Sequence, residues 1–138
     1  MSTWKLFFDG AFTNGEPMYG WCLTREGIEV ARGHGIVDRL NDEKTTNVAE
    51  YGGLVAGLVG SVEWLRQYDQ LTVFGDSQLV IRQMSGQYRI KKVHLMPYAE
   101  KAKKVIKTIQ EAGVSVVLDW IPREQNTRAD ELSKMAVT

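Results

Sequence analysis

Two aspartates stand in matching local contexts. Asp76 follows the short run Leu71–Gly75 (LTVFG), and Asp9 follows Trp4–Phe8 (WKLFF). Both runs have the β-branched, aromatic and alternating character of strands, and both acids are followed by small residues, Ser77 or Gly10-Ala11. Taken alone, Asp76 or Ser77 also reads as the cap of a following helix, because both types accept from orphan N–H groups. The recurrence points further. If the two strands lie side by side and parallel, Asp9 and Asp76 meet at one edge of a sheet, where ligands bind in sheets flanked by helices. Two carboxylates forced together repel, and one must take up a proton unless a cation stands between them. A hard divalent cation such as Mg²⁺ removes that cost, binding oxygen ligands while keeping waters for substrate phosphates.

Two acids outside the strands complete the candidates. Glu50 lies near the start of a helix predicted from Asn47 to about Tyr68, with Val48, Tyr51, Val55, Leu58, Val62 and Leu65 as its apolar stripe. Glu50 three residues after Asn47 also fits a capping box, which would give it a purely local role. Gly53, Gly57 and Gly60 share the other side of this helix. Each interior glycine costs a helix up to about 1 kcal/mol against alanine, so this side is expected to pack closely against another element and carry Glu50 to the sheet edge. Asp130 sits in a C-terminal helix predicted over Arg123–Ala136, where Asp130, Leu132, Met135 and Ala136 recur at helical spacing.

These residues need a scaffold, and the rest of the chain reads as one. Phe12–Met18 is a turn by its Asn-Gly and Pro content, and Tyr19–Thr24 and Ile28–Ile36 are two strands joined at Glu26-Gly27, suggesting an antiparallel meander. Gln78–Ser85 is a short helix stopped by Gly86, Pro97–Ala112 a longer one, and Val114–Ile121 the last strand. Asp119 within that strand alternates with Val117 and is left out of the site. The layout is β-β-β-α-β-α-α-β-α in a single domain over residues 1–138. His34, between Gly33 and Gly35, has no second metal-ligand type at suitable spacing, and His94 lies in a polar connection; both are read as structural or solvated. The lone Cys22 excludes an internal disulfide and is read as a core residue.

With 43% hydrophobic and 25% charged residues, the composition disfavours disorder. No apolar run reaches the roughly 20 residues that span a bilayer, and a cytoplasmic protein without membrane contact is expected. Formal net charge is zero, yet the segment from Arg82 to Lys107 holds eight of the seventeen basic residues and one of the seventeen acids. A basic lobe beside an acidic pocket suits a protein that guides a phosphate backbone to a metal, although a solvated helix face reads the same way.

Four segments together resemble the type 1 ribonuclease H family: FDGA around Asp9, NVAEYGGLVAGL around Glu50, GDSQLVIRQMSG around Asp76 and PREQNTRADELSKMA around Asp130. The resemblance implies an α/β ribonuclease H-like fold, a five-stranded mixed β-sheet flanked by α-helices. It implies endonucleolytic cleavage of the RNA strand of an RNA/DNA hybrid, giving 5′-phosphate and 3′-hydroxyl ends. Asp9, Glu50, Asp76 and Asp130 would hold two Mg²⁺ or Mn²⁺ ions, one activating water and the other stabilising the departing 3′ oxygen. Asn14, Asn47 and Gln78 match substrate contacts of the family, and Thr45 matches a position gripping a phosphate of the DNA strand. The connection Ile121–Asp130 lacks the histidine many members carry there, and Arg123 is an accessory charge that cannot shuttle protons at neutral pH. No obligate protein partner is implied. Three other readings compete: a catalytically silent nucleic-acid-binding module on this fold, a nuclease for another structured nucleic acid, and an aspartyl-phosphate phosphatase. The last usually needs an acid two residues after the nucleophile, where Ala11 stands here.

Overall fold

Strand β1 (Thr3–Thr13) buries Trp4, Leu6 and Phe8 on one face, and β4 (Gln70–Gly75) buries Leu71 and Val73 by the same alternation. The two pair in parallel, from Thr3 opposite Gln70 to Phe8 opposite Gly75. Strands β2 (Glu16–Arg25) and β3 (Ile28–Ile36) extend β1 as an antiparallel meander, while β5 (Ser115–Trp120) pairs in parallel with β4. The result, in this computed structural model describing residues 1–135, is a five-stranded mixed sheet ordered β3-β2-β1-β4-β5.

Helices α1 (Thr46–Ser61) and α3 (Met96–Glu111) cover the face carrying Leu6, Phe8, Leu23 and Val73, and Tyr51, Leu54, Leu58, Tyr98 and Ala102 are fully or almost fully buried in between. The short α2 (Gln78–Met84) joins this layer, and the Tyr51 hydroxyl donates to Gln83 Oε1 at 2.8 Å inside it. Helix α4 (Thr127–Ser133) lies on the opposite face, its main chain so close to Gly20 that no side chain fits there. Arg128 fastens α4 to β3 through Glu29, at 2.8 Å from Nε to Oε1. The N-terminal segment is pinned by the buried Asp69, whose carboxylate accepts from Ser2 N, Trp4 Nε1 and Arg66 N at 2.8–3.0 Å.

Several predicted boundaries move. β1 does not end at Phe8 but runs on through Asp9 to Thr13, and β2 begins at Glu16, so the first turn shrinks to Asn14-Gly15, both with positive φ. That two-residue hairpin suits the twist of its strands, and Asn and Gly tolerate the left-handed region. Helix α1 stops at Ser61 instead of Tyr68: a 3₁₀ turn over Val62–Trp64 follows, Val62 is exposed, and only Leu65 of the outer stripe stays buried. The C-terminal helix is also shorter than predicted, because Arg123–Gln125 forms a separate 3₁₀ turn and α4 starts at Thr127. Met135 follows α4, and Ala136 lies outside the described residues.

The glycine side of α1 packs as its composition suggests. A Cβ on Gly53 would sit 2.5 Å from the Asp9 carbonyl oxygen, and one on Gly10 would collide with the main chain of Ala49 and Glu50. Backbone therefore meets backbone where α1 crosses β1. Helix propensity alone predicts that Gly53→Ala stabilises by up to about 1 kcal/mol. Overpacking against Asp9 predicts the reverse, a loss of roughly 1–3 kcal/mol in urea unfolding, and a stabilised variant would refute the close approach.

Candidate metal centre

Asp9 occupies the residue after the last β1–β4 pair, and Asp76 the residue after the end of β4, so parallel pairing brings them together at the point where the two strands part. Neither Asp76 nor Glu50 is used as a cap. Ser77 caps α2, its hydroxyl accepting from Val80 N at 3.2 Å, and Thr45 rather than Asn47 caps α1, accepting from Val48 N at 3.1 Å. The capping-box role considered for Glu50 is thus absent. Glu50 instead stands where Gly10 and Gly53 let α1 rest on β1.

One oxygen each from Asp9, Glu50 and Asp76 lies within 4.8 Å of the others. Asp9 and Glu50 are buried, at 3% and 7% exposure, and Glu50 Oε2 has no hydrogen-bond partner among the described residues. Asp130 borders the same cavity of about 550 Å³, outside that triangle. Its carboxylate faces two cations, with Arg123 Nη2 at 3.6 Å from Oδ1 and Lys134 Nζ at 3.2 Å from Oδ2.

Crowding shows in the proton affinities. Burial, then the charge of Asp76, pushes the Asp9 carboxyl up to about 7 against the pull of its hydrogen bond from Gly10 N. Glu50 is raised higher still, by burial first and then by Asp9 and Asp76. Asp76 is raised by burial, partly offset by a hydrogen bond from Asn126 and by Arg123. For Asp130 burial also opposes ionisation, but Asp9, Lys134 and Arg123 outweigh it and hold its carboxyl below the usual range. Clustered acids that repel and an orphaned buried oxygen are what a divalent cation would satisfy, and an all-oxygen donor set suits Mg²⁺ or Mn²⁺.

The cavity lining unites Asp9, Glu50, Asp76, Asp130 and Arg123. The other predicted contacts lie outside it: Asn14 in the exposed hairpin turn, Thr45 at the α1 cap, and Gln78 exposed at the first residue of α2. Asn47 borders a second groove of about 470 Å³ with Gln87, Tyr88, Arg89, Lys91 and Lys92. Thr46, beside it, borders the acidic cavity, so the two depressions meet at the start of α1. Sequence reasoning overlooked three contributors. Lys134 was visible as the helical i+4 partner of Asp130. Trp120, whose Nε1 donates to the Asp76 carbonyl at 3.1 Å, and Asn126 left no local signal.

A family profile described as reverse transcriptase-like matches residues 8–136. A bifunctional protein of Mycobacterium tuberculosis is 36% identical over 93 residues, 67% of this chain, and the match spans only 24% of that protein. Ribonuclease HI of Halobacterium salinarum is 31% identical over 135 residues, covering 95% of this chain and 62% of that protein. Among solved structures, the N-terminal RNase H domain of a Mycobacterium tuberculosis protein, fused to maltose-binding protein, superposes with a TM-score of 0.82 at 28% identity, covering 96% of this chain and 91% of that one. RNase H1 of Halobacterium salinarum gives 0.81 at 28% identity, with 95% and 94% covered. LC11-RNase H1, isolated from compost and in complex with RNA/DNA hybrid, gives 0.80 at 29% identity, with 94% and 92% covered.

Raised carboxyl groups bind more protons folded than unfolded, so their contribution is present below the ordinary carboxyl range and is lost as pH rises through the raised values. Without metal, the melting temperature is expected to fall between pH 5 and pH 8, as Asp9 passes through about 7. Mn²⁺ should raise it more at pH 8 than at pH 5, because fewer protons must be displaced. Scanning fluorimetry of wild type and Asp9→Asn checks this; a wild-type melting temperature that rises over this interval contradicts the crowding.

Proposed function

The chain belongs to the type 1 ribonuclease H family, among the reverse transcriptase-like domains, and on that premise we propose that it cuts the RNA strand of RNA/DNA hybrids. The observation that carries this reading is the convergence of Asp9, Glu50 and Asp76 within 4.8 Å, with Asp130 beside them in one open cavity. Asp9, Glu50, Asp76 and Asp130 would hold two Mg²⁺ or Mn²⁺ ions. Bound there, such ions supply activation of the attacking water and charge stabilisation at the departing 3′ oxygen, leaving 5′-phosphate and 3′-hydroxyl ends.

The chain's own residues do the rest. Four carboxylates would repel a phosphodiester, and Arg123 and Lys134 already offset part of that charge at Asp130. Arg123 acts as a fixed charge, since a guanidinium keeps its protons at neutral pH. The groove of Arg89, Lys91 and Lys92 gives a phosphate backbone a basic track that ends at the start of α1, beside the acids. Asn47 at that junction and Gln78 on α2 would meet the minor groove, where the 2′-hydroxyl tells RNA from DNA. Thr45 and Asn14 complete the polar rim, at the α1 cap and the hairpin turn.

With Mg²⁺ or Mn²⁺, the protein should cut only the RNA strand of an end-labelled RNA/DNA hybrid, and chelator should stop it. Asp9→Asn and Asp76→Asn should lower cleavage on the order of a hundredfold or more while hybrid binding persists in a gel-shift assay. Cleavage of double-stranded DNA or RNA instead, or wild-type binding without cleavage under any metal, would replace this reading by another nuclease or by a silent binding module.

A further inference from the structure

Asn126 is 1% exposed and stands at the junction between the Arg123–Gln125 turn and α4. Its Nδ2 donates to the Phe8 carbonyl at 2.9 Å and to Asp76 Oδ2 at 3.2 Å. An amide nitrogen has two hydrogens, and here each has an acceptor. The orientation is therefore forced, because a flipped amide would turn its oxygen toward a carbonyl and a carboxylate.

The place of these bonds gives them a role. β1 and β4 pair only as far as Phe8 and Gly75, and the acids follow on each strand. Ile121 N takes the Gly75 carbonyl at 3.0 Å, while Asn126 takes that of Phe8. The same residue's carbonyl accepts from Asp130 N at 3.1 Å, and its N–H donates to the Arg123 carbonyl at 2.9 Å. One buried residue thus bonds to the neighbour of Asp9, to the side chain of Asp76 and to the main chain of Asp130 and Arg123.

We propose that Asn126 is the positioning residue of the metal centre: it holds one oxygen of Asp76 so that the other faces the cavity, and it locks α4 against the point where β1 and β4 diverge. This rests on the metal-binding reading above. Asn126 is not itself among the residues that line the cavity but acts through Asp76, which is, and on this view it does not meet the substrate. Groups that orient metal ligands typically change metal affinity by 10–100-fold when removed.

Calorimetric titration with Mn²⁺ alone, without substrate, tests it. Asn126→Ala should bind Mn²⁺ at least tenfold more weakly than wild type, and a crystal structure should show Asp76 in another rotamer. In hybrid cleavage, kcat should drop and recover partly with excess Mn²⁺, while KM for the hybrid stays within about twofold. Asn126→Ser, which retains a single donor, should fall between the two, and serves in its place if Asn126→Ala does not fold. Unchanged Mn²⁺ affinity in a folded variant, or a raised KM with metal affinity intact, overturns the proposal. Wild type that binds no Mn²⁺ overturns the metal reading instead, so the two failures are told apart.

Discussion

Like charges held a few ångströms apart set the terms for this molecule. Asp9, Glu50 and Asp76 each place an oxygen within 4.8 Å of the others, two of them are buried, and without a cation they cannot all ionise at neutral pH; among the described residues neither helix capping nor ion pairing absorbs Glu50. A fold does not collect such groups unless other contacts hold them in place, because an uncompensated buried charge costs several kcal/mol. The architecture can be understood as the means of bearing that load. A parallel strand pair sets Asp9 beside Asp76, a helix resting on β1 delivers Glu50, and a second helix on the far face brings Asp130 with two cations attached.

Division of labour around the site follows from the same constraint. Hydroxyl groups, Thr45 on α1 and Ser77 on α2, take the capping work that neighbouring acids could have done. Uncharged donors, the Asn126 amide and the Trp120 indole, take the main-chain and side-chain acceptors around Asp76. Among the described residues the cations that pair directly with an acid of the site do so at Asp130, which is more exposed than the buried Asp9 and Glu50. An ion pair set deeper would have neutralised the cluster and left nothing for a metal to bind.

Much of this was legible in the chain, for physical reasons that also mark where legibility ended. Strand-then-acid appears twice, and the alternation in Leu71–Gly75 and Trp4–Phe8 is strong enough to specify both strands, so the meeting of Asp9 and Asp76 could be anticipated. The glycine side of α1 announced a close approach because nothing else explains three costly residues in one helix. The end of α1 was not legible: Val62 and Leu65 keep the apolar spacing beyond Ser61, and only tertiary packing decides that Val62 faces solvent. The choice between Thr45 and Asn47 as cap was equally open, both being good capping types two residues apart. Asn126 could not be found locally, since its partner Phe8 lies 118 residues away and offers only a backbone carbonyl, which every residue type provides.

The contact between α1 and β1 is made of main-chain atoms at Gly10 and Gly53. Because peptide groups have fixed dimensions, the gap between Glu50 and Asp9 is gauged by a spacer that no rotamer change can stretch. Side chains such as Leu58, Ala102 and Ile109 fill the rest of this layer. The distance between two of the acids is thereby set by covalent geometry rather than by the packing of side chains, and a change at either glycine disturbs stability and site together.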